Sequence, residues 1–251
     1  MKNIALFANT DVGLKVAKFL DNDKEVTVKY LFLSGQYKTI DQEIYNVFKD
    51  KNTVVYTNSS KDISGKINDS KLDFHITVYW PYLLDQPTIA KAKSSVNFHP
   101  ALLPINRGWY PHVHSIIDGS KSGVTLHKIN EEADRGDIWA QKEVLLPVHF
   151  TAKDAYLILQ NEMVEIFEGN WNKIKNSKIQ LIKQDEAQAN YHKKNEINEL
   201  DFIDILNNKE YLKLINLLRA RSFGDYGFSY FIDQNGEKIY MNIKLSKTNK
   251  F

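Results

Sequence analysis

Along the first hundred residues, apolar positions switch between two periods. Short β-rich runs occur at residues 2–7, 26–33, 53–56, 74–78 and 96–99. Between them Val12, Val16, Phe19 and Leu20 recur at helical spacing, as do Ile44, Val47 and Phe48 within residues 41–48. Residues 61–69 fit a further short helix. Strands alternating with helices predict βαβ units, so the fold class is α/β, with a mostly parallel sheet covered on both faces. In such sheets ligands bind beyond the carboxyl ends of the strands.

Downstream, residues 104–122 form a long loop with a helical patch at 114–118. Residues 123–129 and 138–146 predict two more strands. Thr151 with Asp154 marks the start of the longest helix, whose apolar spacing runs on to Trp171. Residues 179–182 read as a short strand, and 199–207 and 209–219 as helices. The last apolar runs flank Asn235 and Gly236, a strong hairpin signal. The pattern changes near residue 180, which predicts a catalytic domain over 1–180 and a small helix-and-hairpin region over 181–251. A neighbouring subunit would protect the hairpin's edges, so a homodimer is expected.

Composition narrows the function classes. Apolar residues make up 43% and charged residues 25% of the 251 residues, ordinary for a globular protein. The formal charge is only +2 and neither half is strongly basic, which argues against a nucleic-acid-binding module. There are no cysteines, so disulfides and thiolate metal sites are excluded. The opening MKNIALFAN is too short an apolar run for a signal peptide and no later run approaches a membrane span, so a cytoplasmic protein with no membrane partner is expected. The first turn has one glycine, Gly13, where a dinucleotide fingerprint has three, and no phosphate-loop motif occurs.

Candidate chemistry concentrates in SSVNFHPALLPINRGWYP and, after a gap, GVTLHKINEEADRGDI. Asn97 and His99 stand at i and i+2 of an extended run and so point to one face. Pro100 ends the strand there. Asp134 lies in a turn between two strands. An amide, an imidazole and a carboxylate are what acyl transfer to an amine needs. Around them Trp109 and Tyr110 are candidates to stack on a sugar or base, and Trp80 either packs in the core or lines the substrate pocket. Arg107, Lys193 and Arg219 could neutralise a pyrophosphate, and Tyr226 could reach a base. His112 and His114 alternate but have no third ligand beside them, so they read as loop or substrate-contact residues.

The run NFHPALLPINRG, followed by the later D-x-G-D, resembles the folate-dependent formyltransferases, whose pattern is close to N-x-H-P-S-L-L-P-x-x-R-G. Ala101 stands where that family usually has serine. RGWYPHVHSIIDG, residues 191–194 and residues 218–223 are nearer to its sugar-nucleotide branch. The resemblance implies a Rossmann-like domain with His99 as general base, Asn97 as oxyanion donor and Asp134 orienting the imidazole. It also implies that Tyr82, Leu83 and Arg135 contact the folate, and that no metal is needed. The expected reaction moves a formyl group from 10-formyltetrahydrofolate to a nucleotide-linked amino sugar. The favoured acceptor is dTDP-4-amino-4,6-dideoxyglucose, for O-antigen or lipopolysaccharide biosynthesis. Glycinamide ribonucleotide formylation, formyl-folate hydrolysis and a non-catalytic folate- or nucleotide-sugar-binding module remain as alternatives.

Overall fold

The computed structural model describes residues 1–57, 63–68, 71–200 and 208–245. The chain divides into two compact units, Met1–Leu146 with Phe150–Lys194, and Pro147–His149 with Asn195–Phe251.

The first unit holds a seven-stranded sheet. In chain order its elements are β1 (Lys2–Ala8), α1 (Thr10–Asn22), β2 (Val26–Leu33), α2 (Lys38–Phe48), β3 (Val54–Tyr56), β4 (Leu72–Val78), α3 (Gln86–Ile89) and β5 (Ala92–His99). There follow β6 (Arg107–Gly108), α4 (Pro111–Asp118), β7 (Gly123–His127), β8 (Ile138–Glu143), α5 (Ala152–Lys175) and β9 (Tyr191–His192). The strand order is β3-β2-β1-β4-β5-β7-β8. The first five of these strands pair in parallel, while β5–β7 and β7–β8 are antiparallel. This is the mostly parallel α/β sheet expected, with its antiparallel strands at one edge.

Burial explains why β1 reads as an unbroken apolar run. Ile4, Leu6 and Ala8 belong to a core that also takes in α1 and α5. Ala5 and Phe7 belong to a second cluster with Phe32, Ile63, Ile67 and Leu84. A strand covered on both faces has no polar side to show. On the larger face, Phe167 and Trp171 of α5 are buried against the sheet. The Thr151 side chain accepts from the Asp154 N–H and Asp154 returns a bond to the Thr151 backbone, a complete capping box at the helix start.

Residues 179–182 do not form the strand expected of them. Only Ile182 bridges to Ile138, because the chain then leaves the sheet to carry Gln184 to the turn that holds Asp134. Of the helix expected at 61–69, a 3₁₀ turn at Ser64–Lys66 is present, and 61–62 and 69 lie outside the described residues.

The second unit contains α6 (Ile197–Leu200), α7 (Lys209–Ala220), a small pair β10 (Ser222–Phe223) and β11 (Tyr226–Gly227), and the hairpin β12 (Ser229–Ile232) with β13 (Lys238–Met241). Most of the helix expected at 199–207 lies outside the described residues. The hairpin forms as expected, with Asp233 accepting from the N–H groups of Asn235 and Glu237 across the turn. Among the described residues no helix is long and apolar enough to cross a membrane.

Candidate active site

The carboxyl ends of β1, β4 and β5 open onto one cleft of about 800 Å³. Asn97 and His99 line it from the end of β5, as their two-residue spacing requires. The Asp134 turn brings the carboxylate to the same place. One carboxylate oxygen, Oδ1, lies 3.4 Å from Asn97 Nδ2 and 3.5 Å from His99 Nδ1. The other accepts from the Gly108 N–H at 2.9 Å.

Local structure fixes each member. The Thr77 hydroxyl of β4 donates to Asn97 Oδ1 at 2.5 Å, so Nδ2 faces the centre of the trio. Asp134 adopts a left-handed backbone, and the Gln184 amide donates to the carbonyls of Asp134 and Gly136. Gly136 is obligatory for this turn: a Cβ there would stand 1.8 Å from the Lys128 carbonyl oxygen. His99 is buried, with Nε2 3.0 Å from the Asn106 carbonyl. A carbonyl only accepts, so Nε2 carries the proton of the neutral ring and Nδ1 keeps a lone pair.

The electrostatics suit a base beside an anion. Burial dominates at His99 and lowers its pKa, outweighing the nearby Asp134 carboxylate and the Asn106 carbonyl. At Asp134 burial works upward, but the imidazoles of His99 and His127 and the Gly108 N–H together win, and the carboxyl lies far below the usual carboxylate range. At neutral pH the site therefore holds a neutral imidazole next to a carboxylate, with an amide N–H beside both. Such a set can take a proton from an attacking amine and stabilise an oxyanion.

Several other sequence candidates line the cleft: Trp80, Tyr82, Leu83, Trp109, Tyr110 and His112. Trp80 packs edge-on against Phe7 and Tyr82. Arg107 requires a correction. It is buried, and its guanidinium donates to Gln184 at 2.7 and 3.1 Å and to Glu186 at 2.7 and 2.9 Å. Every arm is engaged, so it braces the loop and cannot serve a pyrophosphate. Lys193 is exposed and does not line the cleft; among the described residues the ammonium that does is Lys194, 4.7 Å from the centre of the Trp109 ring. Arg135 pairs with Glu132 and is not part of the cleft lining. Arg219 and Tyr226 belong to the second unit, where Arg219 donates to Asn216 and Tyr226 is exposed. His114 is buried and stacks on the His192 ring.

The sequence reading missed Thr77 and His127. His127 stands opposite Asn97 in the antiparallel β5–β7 pair and accepts from Asn97 Nδ2 at 2.9 Å, while its Nδ1 donates to the Lys128 carbonyl at 2.7 Å. Its signal was strand register, which a single sequence does not carry.

The chain is similar to known proteins along most of its length. Residues 32–167 match the family described as formyl transferase, and residues 196–247 match the N-formyltransferase dimerization C-terminal domain. The dTDP-4-amino-4,6-dideoxyglucose formyltransferase of Mycobacterium bovis is 30% identical over 177 residues, covering 70% of this chain and 73% of that protein. A 4-N formyltransferase from Francisella tularensis superposes with a TM-score of 0.73 at 28% identity, covering 98% of this chain and 99% of that one. The formyltransferase PseJ from Anoxybacillus kamchatkensis, solved with UDP-4,6-dideoxy-4-formamido-L-AltNAc and tetrahydrofolate, is 25% identical with a TM-score of 0.56, over 72% of this chain and 93% of that one. The chain thus belongs to the formyl transferase family, among the N-formyltransferases that carry the C-terminal dimerization domain.

Proposed function

We propose that this enzyme transfers a formyl group from 10-formyltetrahydrofolate to the amine of dTDP-4-amino-4,6-dideoxyglucose or a close relative. One observation carries the reading: Asn97, His99 and Asp134 meet within 3.5 Å on the wall of an aromatic cleft. At about 800 Å³ the cleft lies within the size range of ligand-binding sites. Trp80, Tyr82 and Leu83 offer apolar surface for the folate. Trp109, Tyr110 and Tyr156, with the Lys194 ammonium, suit a sugar linked to phosphate.

In this mechanism the amine attacks the formyl carbon and a tetrahedral intermediate forms. Asn97 already gives one hydrogen to His127; the other, on its long contact with Asp134, turns to the oxyanion. His99 Nδ1 takes the proton released by the amine. Asp134 stabilises the imidazolium, which then returns the proton to the departing folate nitrogen. The choice of sugar rests on the similarity to the mycobacterial enzyme.

The product belongs, in this reading, to O-antigen or lipopolysaccharide biosynthesis in the cytoplasm. The enzyme works as a homodimer through its C-terminal unit, where Phe223, Tyr226, Phe228 and Tyr240 are exposed. Exposed aromatic side chains of this kind suit a partner surface. Mass spectrometry of reactions offering dTDP-4-amino, dTDP-3-amino and GDP-4-amino sugars with the formyl donor tests the substrate. A formamide formed fastest on the first supports the reading. Formate released without an acceptor, or formylation of none of them, contradicts it.

A further inference from the structure

Asn106 has no solvent exposure and every polar atom it owns is engaged. Its N–H donates to the Asn190 side chain. Its Nδ2 donates to Ser115 Oγ at 2.9 Å and Ser120 Oγ at 3.0 Å. Its Oδ1 lies 3.1 Å from Asn190 Nδ2 and 3.0 Å from His192 Nε2. The backbone is left-handed, with φ at 57°, a conformation asparagine tolerates better than most residues. What this bracing presents to the active site is a single atom, the carbonyl oxygen facing His99 Nε2 at 3.0 Å.

We propose that Asn106 is a positioning residue that selects the reactive tautomer of His99. The inference rests on the acyl-transfer reading above. A neutral imidazole has one ring proton, and two acceptors face it from opposite sides. The Asn106 carbonyl is at hydrogen-bonding distance from Nε2, whereas Asp134 Oδ1 is 3.5 Å from Nδ1. While the carbonyl is held in place, the proton stays on Nε2 and Nδ1 faces the cleft as a base. If the carbonyl moves away, the charged carboxylate becomes the better acceptor. The proton then passes to Nδ1, and the remaining lone pair points into the loop, where no substrate reaches it. The segment that braces Asn106 also contributes Tyr191 and Lys194 to the cleft.

Imidazole nitrogen NMR of the full-length protein near neutral pH tests this, with the His99 signals assigned by their loss in His99→Gln. In the wild type, Nε2 is expected to be the protonated nitrogen and Nδ1 the bare one. Asn106→Gly keeps the left-handed backbone accessible while removing the brace. It is expected to move proton density to Nδ1 and to lower kcat about tenfold or more, with the KM of both substrates nearly unchanged. His192→Ala, which removes one donor to Asn106, is expected to do the same more weakly. A wild-type His99 protonated on Nδ1, or an unchanged tautomer in folded Asn106→Gly, overturns the proposal. The spectrum of the wild type decides the matter even where a variant fails to fold. Absence of formyl transfer in a wild type with the expected tautomer would instead count against the acyl-transfer reading.

Discussion

Asn97 and His127 stand directly opposite each other on β5 and β7, and the amide nitrogen of one lies 2.9 Å from Nε2 of the other. With Thr77 holding the amide oxygen, the Asn97 side chain has one orientation and its donor faces the reacting centre. Thr77→Val removes that hold at similar volume and frees the amide to rotate. We expect kcat to fall about tenfold, a fraction of the loss from deleting an oxyanion donor outright. The KM values should barely move, and steady-state kinetics with both substrates varied reads the split.

The buried imidazole sets a pH limb. Only neutral His99 accepts a proton, and burial lowers its pKa from the ordinary 6.5. Activity therefore holds through neutrality and falls as pH drops below that value, because protonation removes the base. The profile of kcat/KM for the formyl donor, which reports on the free enzyme, should show this limb below pH 6.5. A limb clearly above that value would mean that burial does not govern this group.

Arg107→Ala separates a brace from a binding residue. The guanidinium binds Gln184, and Gln184 holds the turn carrying Asp134. Losing its buried bonds should destabilise the fold by roughly 2 kcal/mol or more in denaturant unfolding. Activity should fall through kcat as the Asp134 turn loosens. Unchanged stability with only a raised KM for the nucleotide sugar would restore the pyrophosphate role that the geometry denies.

Two glycines should respond oppositely to alanine. At Gly136 the added methyl collides with the Lys128 carbonyl, so the Asp134 turn must shift and activity should drop sharply. At Gly169, exposed within α5, a Cβ meets nothing within 4 Å. There the gain in helix propensity should stabilise the protein by about 0.5–1 kcal/mol. Paired thermal melts and rate measurements compare the two.

Lys194→Met keeps much of the stem and removes the charge beside Trp109. If the ammonium meets the phosphates of the acceptor, its KM should rise about tenfold while kcat stays close to wild type. Equal losses for the acceptor and the formyl donor would count against that assignment.

What the sequence could carry and what it could not divide along physical lines. The β1–β5 strands and α5 were legible because their signals are local: apolar period, caps and turn residues. Asn97 and His99 were legible because two residues on one strand share a face. Arg107 was misread because its partners, Gln184 and Glu186, lie 77 and 79 positions away, and charge alone suggests solvent or ligand. The choice between Lys193 and Lys194 turned on the two-residue pairing of β6 with β9, too short to leave a pattern. His127 and Asn106 owe their places to strand register and to a loop braced from three directions, neither of which shows in local composition.

The central claim is that His99 and Asn97 act on a formyl carbon bound between them. Single-turnover formyl transfer from 10-formyltetrahydrofolate to dTDP-4-amino-4,6-dideoxyglucose, in wild type, His99→Gln and Asn97→Ala, measures it most directly. The account expects a formamide product in the wild type and rates at least about a hundredfold lower in each variant, with the substrates still bound. Near wild-type rates in both folded variants would contradict it.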